Sequence, residues 1–193
     1  GMILIFVVVS QTLIDSGFGS ALIQKLNPTQ TDYSTVFWWN LLFSILLYAI
    51  IYLFAPGVAN FFHNQELVPL LKVIALVIII NSFSLVQKTR LKKSLSFDKI
   101  AITDIISYSI SAVIAFYLAK RGMGAWSLVF MQISNAFISA ILFWSVAQWT
   151  PSWNFSLTSL KNLFSYGVFL LIANIMQDVC THIHFVYQRQ QYT

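Results

Sequence analysis

Charge is what this sequence has least of. Only 9% of its 193 residues are Asp, Glu, Lys or Arg, whereas an ordinary soluble domain carries about 25%. A globule so poor in charge cannot cover its own surface with groups that water solvates. With 58% hydrophobic residues and a mean hydropathy of +0.76, the missing solvent is lipid. The fold class that follows is all-α, a polytopic integral membrane helical bundle. Cysteine is nearly absent too. Cys180 stands alone, which excludes an internal disulfide, and no Cys/His spacing suggests a structural metal. The first apolar run, Met2 to Val9, lacks the basic region that precedes a secretory signal. It reads as the remainder of a transmembrane helix, and Gly1-Met2 as either an added scar or the start of a piece of a longer protein.

Enzymatic signatures are missing as well. His182 and His184 are two apart, which on a helix turns them to different faces, and His63 with Glu66 falls in a short exposed loop. No metalloprotease motif, nucleophile elbow or phosphate-binding glycine loop occurs. Gly17-Phe18-Gly19 opens no soluble βαβ unit, so a nucleotide site is excluded. The reading is a protein that is not an enzyme, with no catalytic residue, metal or cofactor.

What is present is a series of apolar runs near the 20 or so residues that a spanning helix needs. Met2 to Ile14, continuing weakly to Ile23, is the first; Val36 to Ala55 is the second, stopped near Pro56-Gly57. Leu67 to Val86, Ile100 to Ala119 and Trp126 to Trp149 follow, and Leu160 to Ile175 is the last. That makes about six transmembrane segments, joined by short connections that predict antiparallel neighbours. Gly122 and Gly124 in the Lys120–Gly124 turn suit positive φ. Phe155, Leu157, Leu160 and Phe164 predict an amphipathic approach lying in the interface. The domain reading is a transmembrane bundle over residues 1–178 and a divergent or truncated tail over 179–193.

The net charge of +5 does not point to nucleic acid, because the basic residues crowd one place. Lys88, Arg90, Lys92, Lys93 and Lys99 fall in the connection between the third and fourth spans, and alternating topology puts Lys25 and Lys161 on the same side. Short cytoplasmic loops are enriched in Lys and Arg, so the Lys88–Lys99 loop is expected in the cytoplasm. Trp38, Trp39, Trp144, Trp149 and Trp153 suit headgroup depth.

Ionisable residues inside spans cost about 2.5–3.5 kcal/mol on insertion scales and are candidates for function. Asp15, with Gln11 close by, either binds a proton, cation or sugar hydroxyls in a central cavity, or marks the interfacial end of its helix before Gly17 and Gly19. Lys72 either attracts an anionic diphosphate or acidic sugar, or snorkels to the interface. Asp104 either pairs with a basic residue of the adjacent loop or contributes to a gate. Asp178 lies at the end of the last segment. Asn81 and Gln132, with Asn40, Asn135 and Asn174, suit either helix packing or a hydrated cavity that accommodates sugars. The substrate- or ion-binding candidates are thus Asp15, Gln11, Lys72, Asn81, Asp104 and Gln132.

Several stretches resemble one family. Leu13-Ile14-Asp15-Ser16-Gly17-Phe18-Gly19-Ser20-Ala21-Leu22-Ile23-Gln24-Lys25 is similar to the end of the second transmembrane helix of polysaccharide flippases. These are the Wzx-type O-antigen, capsule and teichuronic-acid exporters of the multidrug/oligosaccharidyl-lipid/polysaccharide superfamily. Thr31 to Asn40 resembles the start of their third helix, and Ala55-Pro56 with Ala59-Asn60-Phe61-Phe62 its exit. Leu67 to Val73 and Asn81-Ser82-Phe83-Ser84 are similar to the fourth helix; the Lys93–Asp98 loop and Gly122 to Val129 add further matches. The resemblance implies a fragment of a 12–14 helix, two-bundle transporter, the N-terminal half lacking its first helix. It implies flipping of undecaprenyl-diphosphate-linked oligosaccharide across the bacterial inner membrane, with membrane lipid, a coupling proton or sodium ion and the polysaccharide polymerase machinery as partners. A multidrug exporter of the same superfamily is the alternative, and an integral-membrane glycosyltransferase or ligase a further one. After Asp178 the sequence turns polar where the family helix would continue, which reads as truncation or a shifted frame.

Overall fold

The computed structural model describes residues 18–164, and every regular element among them is helical. In chain order these are α1 (Phe18–Gln24), α2 (Gln30–Phe61), α3 (Leu67–Ile74), α4 (Leu76–Lys93), α5 (Phe97–Lys120) and α6 (Ala125–Ala147). A further helix begins at 157 and is described as far as 164. Among the described residues, four stretches are long and apolar enough to cross a membrane: α2, α3 with α4, α5, and α6. At 1.5 Å per residue the 32 residues of α2 reach about 48 Å, the full depth of a bilayer with its headgroups. The protein is a multi-pass membrane protein. The first and last expected segments lie largely outside the described residues.

The helices alternate in direction, so their termini gather at two ends. One end holds the C-terminus of α1, the start of α2, the α4–α5 connection and the stretch after α6. It carries Lys25, Lys88, Arg90, Lys92, Lys93 and Lys99 and is the basic end. The opposite end holds His63, Glu66, Lys120 and Arg121. Helix α4 is the hub, touching α1, α2, α5 and α6. Its buried face carries Val77, Ile78, Leu85 and Val86, and a core of Leu22, Val36, Phe37, Ile78 and Trp149 forms around it. A second core joins Leu70, Ile74 and Val77 to Val129 and Ala136. The outward sides of α2 and α5 display Leu53, Phe54, Ile105, Val113 and Phe116, as suits residues facing lipid.

Two expected boundaries are corrected. Pro56 does not stop the second span: α2 runs through it to Phe61. Proline removes one backbone donor, which membrane helices tolerate, and the helix ends only where His63 adopts φ 50. There Asn64 N donates to Ala59 O (3.0 Å) and His63 N to Asn60 O (3.1 Å), a Schellman closure. The expected basic loop is mostly helix. Lys88, Arg90, Lys92 and Lys93 are the last turns of α4, where cations complement the helix dipole. The connection proper is Ser94 to Ser96, turned by Leu95 at φ 55. At the opposite end Gly122 and Gly124 take φ 80 and 52, as their turn requires.

Candidate functional site

The basic end is held by directional polar bonds. Thr29 N-caps α2: its hydroxyl accepts from Asp32 N, and the Asp32 carboxylate accepts from Thr29 N at 2.8 Å, a reciprocal capping box. The same carboxylate accepts from Lys25 Nζ at 2.7 Å, although Asp32 is only 1% exposed. A buried carboxylate survives there because three donors converge on it, Lys25 Nζ, Thr29 N and the Thr29 hydroxyl. Lys93 reaches back from α4 to the exposed end of α1, donating to Ile23 O (2.8 Å) and Lys25 O (2.6 Å). It supplies the donors that the last carbonyls of a helix lack.

The stretch after α6 is fastened to the start of α2. Trp149 Nε1 donates to Gln30 Oε1 at 2.6 Å, and Gln30 Nε2 donates to Thr150 O at 2.8 Å. Ser152 N donates to Ser34 Oγ, Trp38 Nε1 donates to Ser152 O, and Ser156 N donates to Thr35 Oγ1. The Trp38 and Trp153 rings stack at 4.9 Å. The Arg90 guanidinium lies over the rings of Tyr33 and Trp149, at 5.6 and 5.9 Å.

Further in, a seam of small polar residues joins α2, α4, α5 and α6. Ser44 on α2 and Ser82 on α4 meet at 3.2 Å, and each also donates to a carbonyl three residues back in its own helix. Ser107 on α5 does the same. Such back-bonding satisfies a hydroxyl inside the helix and leaves a small, flat face for a neighbour. Gln87 is fully buried. In the orientation that satisfies both its amide atoms it donates to Phe83 O and accepts from Trp144 Nε1 at 3.1 Å. Asn40 Nδ2 and Asn135 Oδ1 are buried without a hydrogen-bond partner among the described residues.

The structure does not gather the expected site residues into one cluster. Asp15 and Gln11 lie outside the described residues. Lys72 is toward the opposite end, on α3, with Nζ over the Tyr52 ring at 4.0 Å, so its charge rests on an aromatic of α2. Asp104 is in the second turn of α5 near the basic end, accepting from Lys88 Nζ at 3.2 and 3.4 Å. Asn81 is half-buried on α4 and Gln132 half-buried on α6. Two buried polar residues that organise this end, Asp32 and Gln87, are outside the expected set. The spacing Thr29-x-x-Asp32 before an apolar run is the sequence signal for the first. Nothing in the sequence marks the second.

The profile of the polysaccharide biosynthesis protein family matches residues 1–186. The chain belongs to that family. Curated relatives agree in kind. The chain is 29% identical over 185 residues to the teichuronic acid biosynthesis protein TuaB of Bacillus subtilis, covering 93% of this chain and 38% of that protein. It is 30% identical over 155 residues to the succinoglycan biosynthesis transport protein ExoT of Rhizobium meliloti, covering 79% and 31%. The lipopolysaccharide biosynthesis protein WzxC of Escherichia coli is 23% identical over 187 residues, covering 93% and 37%. The chain thus spans well under half the length of these relatives. No solved structure matches it.

Proposed function

We propose that the chain is part of an inner-membrane transporter that flips undecaprenyl-diphosphate-linked oligosaccharide from the cytoplasmic to the periplasmic leaflet. The family match supports a place in polysaccharide biosynthesis, and one relative named as a transport protein, ExoT, supports transport. The observation that carries the reading is the division of the bundle itself. Its outer sides are apolar, while hydroxyl and amide side chains are turned inward along α2, α4, α5 and α6. In a transporter of two such bundles, the sugar head group crosses between them while the lipid tail stays in the bilayer. Lys and Arg at the basic end put that end in the cytoplasm. The work is binding and conformational change, without covalent chemistry.

Within this reading Asp15, with Gln11, is the site of a coupling proton or sodium ion, and Lys72, Asn81, Asp104 and Gln132 are the residues to test for substrate contact. Contact with the polysaccharide polymerase machinery belongs to the same proposal. The test is complementation by the complete gene in a strain lacking its own flippase. Surface polysaccharide and cytoplasmic-leaflet lipid-linked oligosaccharide are measured together. Rescue by the wild type that fails with Asp15→Asn, at equal membrane abundance, is the expected result. A well-expressed gene that restores nothing with several oligosaccharides sinks the proposal and moves drug export ahead.

A further inference from the structure

A cavity of about 120 Å³ opens between α1 and α4 at the basic end. From α4 it takes Leu85, Lys88, Thr89 and Lys92, which repeat at three- and four-residue steps and so form one stripe. From α1 it takes Gly19, Ser20 and Ile23. The closeness of the two helices is set by glycine. A Cβ at Gly19 would come within 3.2 Å of Thr89 Oγ1, so glycine lets the two helices lie this close without the Thr89 side chain having to give. Thr89 is buried, and its hydroxyl donates to Leu85 O at 2.8 Å, which makes it part of the cavity floor.

The groups left to meet a guest are Lys88 and Lys92 with the Ser20 hydroxyl. Among the described residues no carboxylate lines the cavity. Lys88 shares its charge with Asp104 at 3.2 Å, both being about one-third exposed. Lys92 is exposed and has no ion-pair partner among the described residues. Two other lysines of this end are engaged: Lys25 holds Asp32, and Lys93 holds the end of α1. Two ammonium groups one helical turn apart, with a hydroxyl opposite, are complementary to a tetrahedral oxyanion. The space is enough for a phosphate between the two ammonium groups. The apolar side chains of Ile23 and Leu85 lie beside the charges, at the end where helices reach headgroup depth. That combination suits a phosphate carried on hydrocarbon, and clustered Lys and Arg at such an end attract anionic lipid.

We propose that this cavity binds the phosphate of a membrane lipid. The inference rests on the cavity's chemistry and does not require that the protein transport anything. The test uses the full-length protein that carries this chain, purified in detergent and mixed with undecaprenyl phosphate, phosphatidylglycerol or undecaprenol. Retained lipid is counted by native mass spectrometry. Both phosphate lipids are expected to be held in preference to undecaprenol, which has the same tail as undecaprenyl phosphate and no phosphate. The Lys88→Gln/Lys92→Gln double variant should weaken their retention about tenfold, the loss of a charge-assisted contact. Both side chains reach the surface, so the fold survives. Lys120→Gln at the opposite end should leave retention unchanged.

Preference for undecaprenyl phosphate assigns the cavity to an isoprenoid carrier, and equal retention of the two phosphate lipids assigns it to bulk anionic lipid. Either supports the proposal. Undecaprenol held as well as its phosphate, or no difference between wild type and the double variant, overturns it. Displacement of both lipids by equimolar inorganic phosphate places the natural anion in solution and overturns the assignment to lipid.

Discussion

The two ends of the bundle are built on different principles. At the basic end, residues far apart in sequence are tied by directional bonds: Lys93 to the end of α1, Trp149 to Gln30 and Ser34 to Ser152. At the opposite end the polar bonds are mostly local. Gln65 donates to Asn60, Glu66 N donates to Asn64, and Arg121 meets Tyr117 within one turn. A polar contact that does bridge elements there is Lys72 on the Tyr52 ring. Local bonds shape a turn but do not hold one helix to another. Among the described residues the basic end is therefore the one where directional polar bonds tie separate elements, while apolar packing of Leu70 and Ile74 on Val129 does so toward the other.

Substitutions that break or sharpen this contrast are ranked by size. Asp32→Ala removes the capping box and the partner of Lys25 together. It should cost about 2–3 kcal/mol, seen as a lower thermal midpoint of the full-length protein in detergent and faster amide exchange at the start of α2. A loss below the scatter of surface substitutions would mean the basic end is not held this way. Trp149→Phe deletes the donor to Gln30 and keeps most of the ring packing, for an expected loss of about 1 kcal/mol on the same measurement. Lys72→Gln, at the opposite end, removes one exposed-edge cation–π contact. It should cost about 0.5–1 kcal/mol and speed amide exchange in α3 without touching the basic end. If it loosens the basic end equally, the two ends are coupled and the contrast fails. Leu95→Gly changes stability the other way. Leu95 is 74% exposed and held at φ 55, so glycine should stabilise by about 0.5–1 kcal/mol, read as a small rise in midpoint.

Much of the architecture was legible before any coordinates. Apolar run length is a direct measure of span, because lipid offers no partner for an open backbone, and each middle run is a helix. The ends of those runs were less so. Pro56 reads as a stop because proline lacks a donor, but one missing bond in a helix of 32 residues is outweighed by the cost of exposing more backbone to lipid. Lys88 to Lys93 read as loop because charge and loops go together. On α4 those residues stay helical, since their heads reach water while their stems lie along the bundle. The candidate site was the least readable part. A lone ionisable residue in a span is conspicuous, yet Lys72 is satisfied by a ring 20 positions earlier and Asp104 by a lysine 16 earlier. Neither partner is marked by spacing.

The sequence alone determined the solvent, the helical class, the basic end and the family, because each is additive: hydropathy, charge and motif accumulate along the chain without regard to what touches what. Only the tertiary structure decided which polar residues are engaged and which are available. It put three donors around the Asp32 carboxylate, used Lys93 to close α1, and left Lys92 beside a cavity walled on one side by Gly19. Those outcomes depend on distances of a few ångströms between helices that meet only after packing. No local pattern encodes them.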